Sequence, residues 1–212
     1  DDCIAIKSGK GKIGREIGIP SENINIENCH MEFGHGGVVI GSEMSGGIKN
    51  VNIKNCLFEN TDRGLRIKTR RGRGGIIDGI HAENIVMDKG LTPFVINEFY
   101  YCDSDGKTEY VWNKDKLEIT EETPVIKNIT FKNMVCKNSE VCAGFMYGLP
   151  ERKIERVVLE NLTIDFAVNP KKDIPAMMDF IDSQSRGGFY FNNIKDLEIK
   201  KLTVKNAEGE EI

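Results

Sequence analysis

The sequence has no Cys-x-x-Cys pair, and its six cysteines fall at irregular spacings. A zinc site of the usual spacing is therefore not expected. A chain of 212 residues is also long enough to do without a disulfide framework. No run approaches the roughly 18 consecutive apolar residues of a membrane span. There is no surplus of positive charge: 29 Lys and Arg stand against 33 Asp and Glu, a net charge of -4. That balance disfavours a dedicated nucleic-acid binder. Prolines number only six against 22 glycines, which points to many tight turns. The opening Asp-Asp-Cys-Ile-Ala-Ile-Lys lacks the basic and apolar regions of a signal peptide. The chain starts without Met and inside a strand-like run, so it reads as part of something longer. Cys29 and Cys56 read as small buried hydrophobes rather than a disulfide. That usage leans toward a cytoplasmic, reducing compartment and leaves a periplasmic or secreted location open.

What the sequence does have is a repeat. Six segments share one pattern: Asn23-Ile-Asn-Ile-Glu-Asn28, Asn50-Val-Asn-Ile-Lys-Asn55, Gly79-Ile-His-Ala-Glu-Asn84, Asn128-Ile-Thr-Phe-Lys-Asn133, Arg156-Val-Val-Leu-Glu-Asn161 and Asp196-Leu-Glu-Ile-Lys-Lys201. Apolar and polar residues alternate, the period of a half-buried strand. The last positions are separated by 27, 29, 49, 28 and 40 residues, three near-equal spacings and two lengthened ones. Twelve residues beyond four of these anchors lie Ile40, Ile67, Ile96 and Phe145, each in a second strand-like run. Repeats of under about 30 residues built from short strands and turns indicate a solenoid. The period of two excludes helical repeats. The Leu spacing of leucine-rich repeats is absent, and a propeller blade needs about 40 residues. The expected fold is all-β, a single right-handed parallel β-helix domain over residues 1–212 with its N-terminal coils missing. A β-sandwich with regular strands is the alternative. The recurring Asn suits a left-handed turn, where stacked side chains hydrogen-bond between coils. Insertions are expected near 97–125, which holds Tyr100, Tyr101, Tyr110 and Trp112, and near 166–190.

Stacking the coils brings chemistry together. If Ile6, Ile40 and Ile67 share one inward position, Arg66 and Lys68 face outward on the third coil. Asp1, His35 and Asp62 then share a position five residues earlier, with Asp2 beside Asp1. Successive strands lie about 4.8 Å apart. The carboxylates, imidazole, guanidinium and ammonium thus fall within reach of one sugar ring. Taken singly, each group is an ordinary solvated turn or strand edge. Taken together, they make a site. Adjacent carboxylates raise the pKa of one of the pair, as a general acid requires, while the other activates water. Arg and Lys suit an anionic substrate. Arg63, Arg66, Lys68, Arg70, Arg71 and Arg73 form a strip without an acid, which reads as an anion-recognition surface.

These residues resemble glycoside hydrolase family 28, the polygalacturonases. That family carries Asp-Asp, Gly-His-Gly and Arg-Ile-Lys in this order on a right-handed parallel β-helix. Here they read Asp1-Asp2, Gly34-His35-Gly36 and Arg66-Ile67-Lys68. The stretches Ile6-Lys-Ser-Gly9 and Ile40-Gly-Ser-Glu-Met-Ser-Gly-Gly47 resemble the bacterial exo-acting branch. Motif-level likeness runs to about residue 100 and is architectural beyond it.

The resemblance implies inverting hydrolysis of α-1,4 linkages between galacturonates in pectin. It makes Asp1 the general acid, Asp2 a water-activating carboxylate and His35 their neighbour. Arg66 and Lys68 would hold the substrate carboxylate. It implies no metal or organic cofactor, a galacturonate-containing oligo- or polysaccharide as partner, and no nucleic acid or membrane. The family's further Asn-Thr-Asp motif, which shares the base role, precedes Asp-Asp and so is not within this chain. Asn60-Thr61-Asp62 has the same letters in the wrong order along the chain. Little or no activity is therefore expected of these residues alone. The 97–125 excursion would close one end of the cleft and favour exo action, with Tyr100 or Tyr101 available to stack on sugar. Hydrolases of rhamnogalacturonan or xylogalacturonan, and a non-catalytic β-helix binding module, are the competing readings. His35 argues against the first and the paired acids against the last.

Overall fold

The computed structural model describes residues 1–208. Its strands are β1 (Ile4–Ile6), β2 (Ser21–Glu27), β3 (His30–Gly34), β4 (Val38–Gly41), β5 (Ile48–Thr61), β6 (Arg63–Lys68), β7 (Ile76–Asp88), β8 (Thr92–Asn97), β9 (Val125–Ser139), β10 (Cys142–Tyr147), β11 (Val157–Phe166), β12 (Gly187–Asn192) and β13 (Leu197–Lys205). Two short helices, α1 (Gly11–Ile17) and α2 (Glu109–Trp112), lie in connections. Every strand pairs in parallel with its equivalent one repeat away. One sheet runs β1-β4-β6-β8-β10-β12, and the other runs β2-β5-β7-β9-β11-β13 with β3 also on β5. Parallel crossovers are right-handed, and the result is a right-handed parallel β-helix. No helix among the described residues is long and apolar enough to cross a membrane.

The corners explain the repeat. Asn28, Asn55, Asn84, Asn133, Asn161 and Lys201, the six repeat anchors, all have φ between 53° and 56°. Asn23, Asn50 and Asn128 make a second left-handed row, at φ 51° to 57°. Asn tolerates this conformation better than other residues with a Cβ. Its side chain also bridges coils: Asn50 Nδ2 donates to Asn23 Oδ1 at 2.7 Å, and Asn161 Nδ2 to Asn133 Oδ1 at 2.8 Å. Each such residue bends the chain without ending the ladder. That is why β5, β7 and β9 run for 13 to 15 residues through their corners.

Inward side chains stack in rows along the solenoid. Val51, Ile80, Ile129 and Val157 form one row, and Cys56, Ile85, Met134 and Leu162 another. Phe94 stacks on Phe131 at 5.4 Å and on Phe189 at 6.1 Å. Gly144 occupies the rung between Phe94 and Phe189, where a Cβ would meet the Phe189 ring at 2.3 Å. All six cysteines are free. Cys56 is buried as expected, whereas Cys29 is only partly so.

Ile6, Ile40, Ile67 and Ile96 do share one inward row. Phe145 does not join it. Met146 pairs with Ile96, and Phe145 pairs with the outward Val95. The fifth coil spends five residues from Lys137 to Cys142, where the fourth spends four from Asp88 to Thr92. One added turn residue shifts the register and turns Phe145 outward.

The corner ladder yields a test. Asn133 accepts from Asn161 and donates to Glu83 Oε1 at 3.2 Å. Asn133→Ala should cost about 2 kcal/mol, from the left-handed backbone and the lost bonds. Asn133→Gly should cost about half of that. Urea midpoints of the two variants against the parent read the difference.

Candidate active site

The register places the expected residues on three successive coils. Asp1 and Asp2 precede β1, His35 lies between β3 and β4, and Arg66 and Lys68 are on β6. The ladder extends through the motif itself: the His35 amide donates to the Asp1 carbonyl at 3.1 Å, and the Cys3 amide to the Gly36 carbonyl at 2.8 Å. This tight approach accounts for the glycines around His35. A Cβ on Gly34 would meet Cys3 Sγ at 2.6 Å, and one on Gly36 would meet Val39 Cγ2 at 2.3 Å.

The two acids occupy different environments. The Asp1 side chain is 98% exposed, with Oδ1 3.9 Å from His35 Nδ1. The Asp2 side chain is 5% exposed. Its Oδ2 accepts from Lys68 Nζ at 2.8 Å, and Arg66 Nη1 stands 3.7 Å from its Oδ1. Oδ1 has no hydrogen-bond donor among the described residues. Burial, with Arg66 alongside, pulls the Lys68 ammonium below its ordinary value, and the bond to Asp2 opposes that shift. Asp62 does not contact this group. It lines a recess at the turn before β6 with Lys89, Glu140 and Lys171.

Tyr100, expected from the sequence to be available for stacking on a sugar, packs instead against the Arg–Lys pair. Its ring lies 5.4 Å from the Arg66 guanidinium and 5.2 Å from Lys68 Nζ, cation–π contacts to both. At 6% exposure it offers no open face to a sugar, contrary to the stacking expected of it. Burial also pushes its phenol up.

The basic strip is not one anion-binding surface. Arg63 donates to the carbonyls of Ile174 and Pro175. Arg70 pairs with Asp105, and Arg73 lies 3.6 Å from Asp103. Arg71 holds Glu151 through Nε at 2.6 Å and Nη2 at 2.9 Å, and donates to the carbonyls of Tyr110, Asn113 and Asp115. These four arginines anchor loops. Of the strip, Arg66 and Lys68 are the two that reach Asp2. A run of like charge in sequence thus serves two purposes, because alternate strand residues and the following turn point in different directions.

The anchored loops form a wall. The segments 97–124 and 166–186 meet over the outer face of β8 and β10, where Tyr100 bridges Met178 in antiparallel fashion. Asn97 Nδ2 donates to the Met177 carbonyl at 2.9 Å. Val95, Phe99, Cys142, Phe145, Leu149, Ala176 and Met178 make a second, smaller core beneath. Beside it, Lys114 Nζ sits 4.0 Å from the Phe99 ring centroid, and burial pulls it down to about 8. Glu98 is fully buried, and burial pushes it up to about 8. Its Oε2 accepts from the Leu149 amide at 3.0 Å.

A parallel β-helix that sets two carboxylates and an imidazole against an Arg–Lys pair is the protein class this geometry defines. The family model for glycosyl hydrolases family 28 matches residues 1–173. A probable polygalacturonase of Vitis vinifera is 30% identical over 173 residues, 81% of this chain and 33% of the relative. An endo-polygalacturonase of Pectobacterium carotovorum is 39% identical over 165 residues, 77% of this chain and 35% of the relative. The crystal structure of a hyperthermoactive exopolygalacturonase from Thermotoga maritima superposes on all of this chain and 40% of its own, with a TM-score of 0.76 at 27% identity. The chain belongs to glycosyl hydrolases family 28. It spans about a third of the length of the curated relatives it matches.

Two measurements probe the electrostatics. Lys68→Met strands the buried Asp2 carboxylate and should destabilise the fold by about 3 kcal/mol. Adding Asp2→Asn should recover much of that loss in a double-mutant cycle read by urea unfolding. Glu98 has a folded pKa raised from 4.5 to about 8. Its stabilising contribution is therefore full below pH 4.5 and is lost as pH rises to about 8. Glu98→Gln should flatten the fall in stability across that window, as followed by unfolding midpoints against pH.

Proposed function

We propose that this chain carries the catalytic coils of a polygalacturonase that hydrolyses α-1,4-galacturonosyl linkages with inversion. The observation that carries the reading is the buried contact of Asp2 with Lys68 and Arg66 across the first and third coils, with Asp1 and His35 at its rim. Asp1, exposed to the cleft, donates the proton to the departing glycosidic oxygen. Asp2 is the carboxylate that activates the attacking water. His35 orients Asp1. Arg66 and Lys68 are already partnered on one side, by Asp2 and Tyr100, and meet the substrate carboxylate on the other. Arg66 suits a planar carboxylate because its donors are fixed in a fork.

Exo action is favoured by the wall over β8 and β10, which ends the cleft one coil beyond Arg66 and Lys68. A polysaccharide that abuts the wall presents its terminal residues to Asp1 and Asp2. The names of relatives include both endo- and exo-acting enzymes, so the wall is the argument for this chain.

The test incubates trigalacturonate with a polypeptide that carries these residues behind the upstream coils of a family 28 relative. Mass spectrometry should show saturated galacturonate plus digalacturonate. Asp1→Asn and Asp2→Asn should each slow release by at least about a hundredfold. An unsaturated product, or an intact trimer, would overturn the reading.

A further inference from the structure

A second cluster of recognition groups lies beyond the Arg–Lys site. Tyr101, Lys107, Trp112, Asp179 and Phe180 line a cleft of about 380 Å³. Three of these, Tyr101, Asp179 and Phe180, directly follow one structural element, the antiparallel bridge between Tyr100 and Met178. On one strand of the bridge, Tyr100 packs against Arg66 and Lys68 and the next residue, Tyr101, lines the cleft. On the other, Met178 leads directly into Asp179 and Phe180. The cleft therefore adjoins Tyr100, the residue that packs on the cationic pair.

Phe180 is the unusual member. It has φ of 59° and is 79% exposed. A bulky residue in the left-handed region is a conformational outlier, and strain of this kind collects at ligand sites. Core packing does not account for it, because the ring is mostly in solvent. The ring instead stands edge-on to Trp112, with centroids 5.4 Å apart and planes at 82°. The charged groups are available too. Asp103 and Asp105 are engaged by Lys10, Arg73 and Arg70. Lys107, on the same loop, is exposed at the cleft, and Asp179, whose charge also reaches Lys114, lines it too.

We propose that this cleft is a second sugar subsite, taking an acidic pyranose of the same galacturonate chain that the Arg66–Lys68 site holds. The choice of sugar rests on the function proposed above. The apolar C–H face of a pyranose stacks on Phe180 or Trp112, its carboxylate meets Lys107, and its hydroxyls donate to Asp179. An aromatic pair with a single ammonium and a single carboxylate matches a ring with one acid and several hydroxyls. A polyanion would call for more cations.

Trp112 is the only tryptophan of the chain, so its emission reports this cleft. Titrating trigalacturonate into the chain should change that emission saturably. Phe180→Ala should weaken binding about tenfold. Lys107→Gln should weaken trigalacturonate binding and leave the methyl-esterified trimer unaffected. Both side chains are exposed, so neither variant threatens the fold. Arg66→Gln should leave the Trp112 response in place. Trimer binding seen by calorimetry with silent Trp112 emission would overturn the subsite, as would unchanged affinity in both cleft variants or no binding at all. Hydrolysis with silent Trp112 emission sinks the subsite alone. A saturable response, with no hydrolysis by the polypeptide that restores the upstream coils, sustains the subsite and sinks the catalytic reading.

Discussion

Parallel backbone pairing between successive coils is the constraint on which everything else in this molecule depends. It fixes Ala5 on Val39, Val39 on Arg66 and Arg66 on Val95, residue for residue. A slip of one residue would exchange the inward and outward faces of a strand. Lys68 would then enter the core and Ile67 the cleft. The Asn corners guard against that slip, since each occupies a left-handed position and several pair with their equivalents on a neighbouring coil. The contact between Asp2 and Lys68, which joins residues 66 positions apart, is a product of this register.

The outer face of one sheet shows how a repetitive scaffold becomes asymmetric. Its central outward row reads Ala5, Val39, Arg66, Val95, Phe145 and Tyr190. The middle coil carries the cation of the site. The next two carry apolar groups that need cover, and the 97–124 and 166–186 segments supply it. The wall over β8 and β10 is thus the lid of a small hydrophobic core. Its position follows from where outward residues change from charged to apolar.

Charge burial is concentrated where loops meet this sheet. Arg63 and Arg71 spend their donors largely on backbone carbonyls of the two covering segments, and Arg71 adds a buried carboxylate. A guanidinium has five donors in a rigid fork, so one side chain can satisfy several carbonyls that lack strand partners. Lys68 has a different task. Its ammonium is divided between Asp2 and the Tyr100 ring, which fixes its position.

Much of this was legible in the sequence, because a solenoid turns sequence spacing directly into spatial stacking. The period of two, the Asn anchors and the Ile row identified the fold. The same spacing put Asp1, Asp2, His35, Arg66 and Lys68 on neighbouring coils. The legible part ended where the chain left the repeat. One extra turn residue turned Phe145 outward. Tyr100, Glu98, Lys114 and the Arg71–Glu151 pair owe their surroundings to loops with no period. The sequence by itself determined the register, since hydrophobic alternation and left-handed corners act within a few residues. Only the tertiary structure decided which charges meet Asp2 and which anchor the covering loops, since that depends on where non-repeating segments fold back across the sheet.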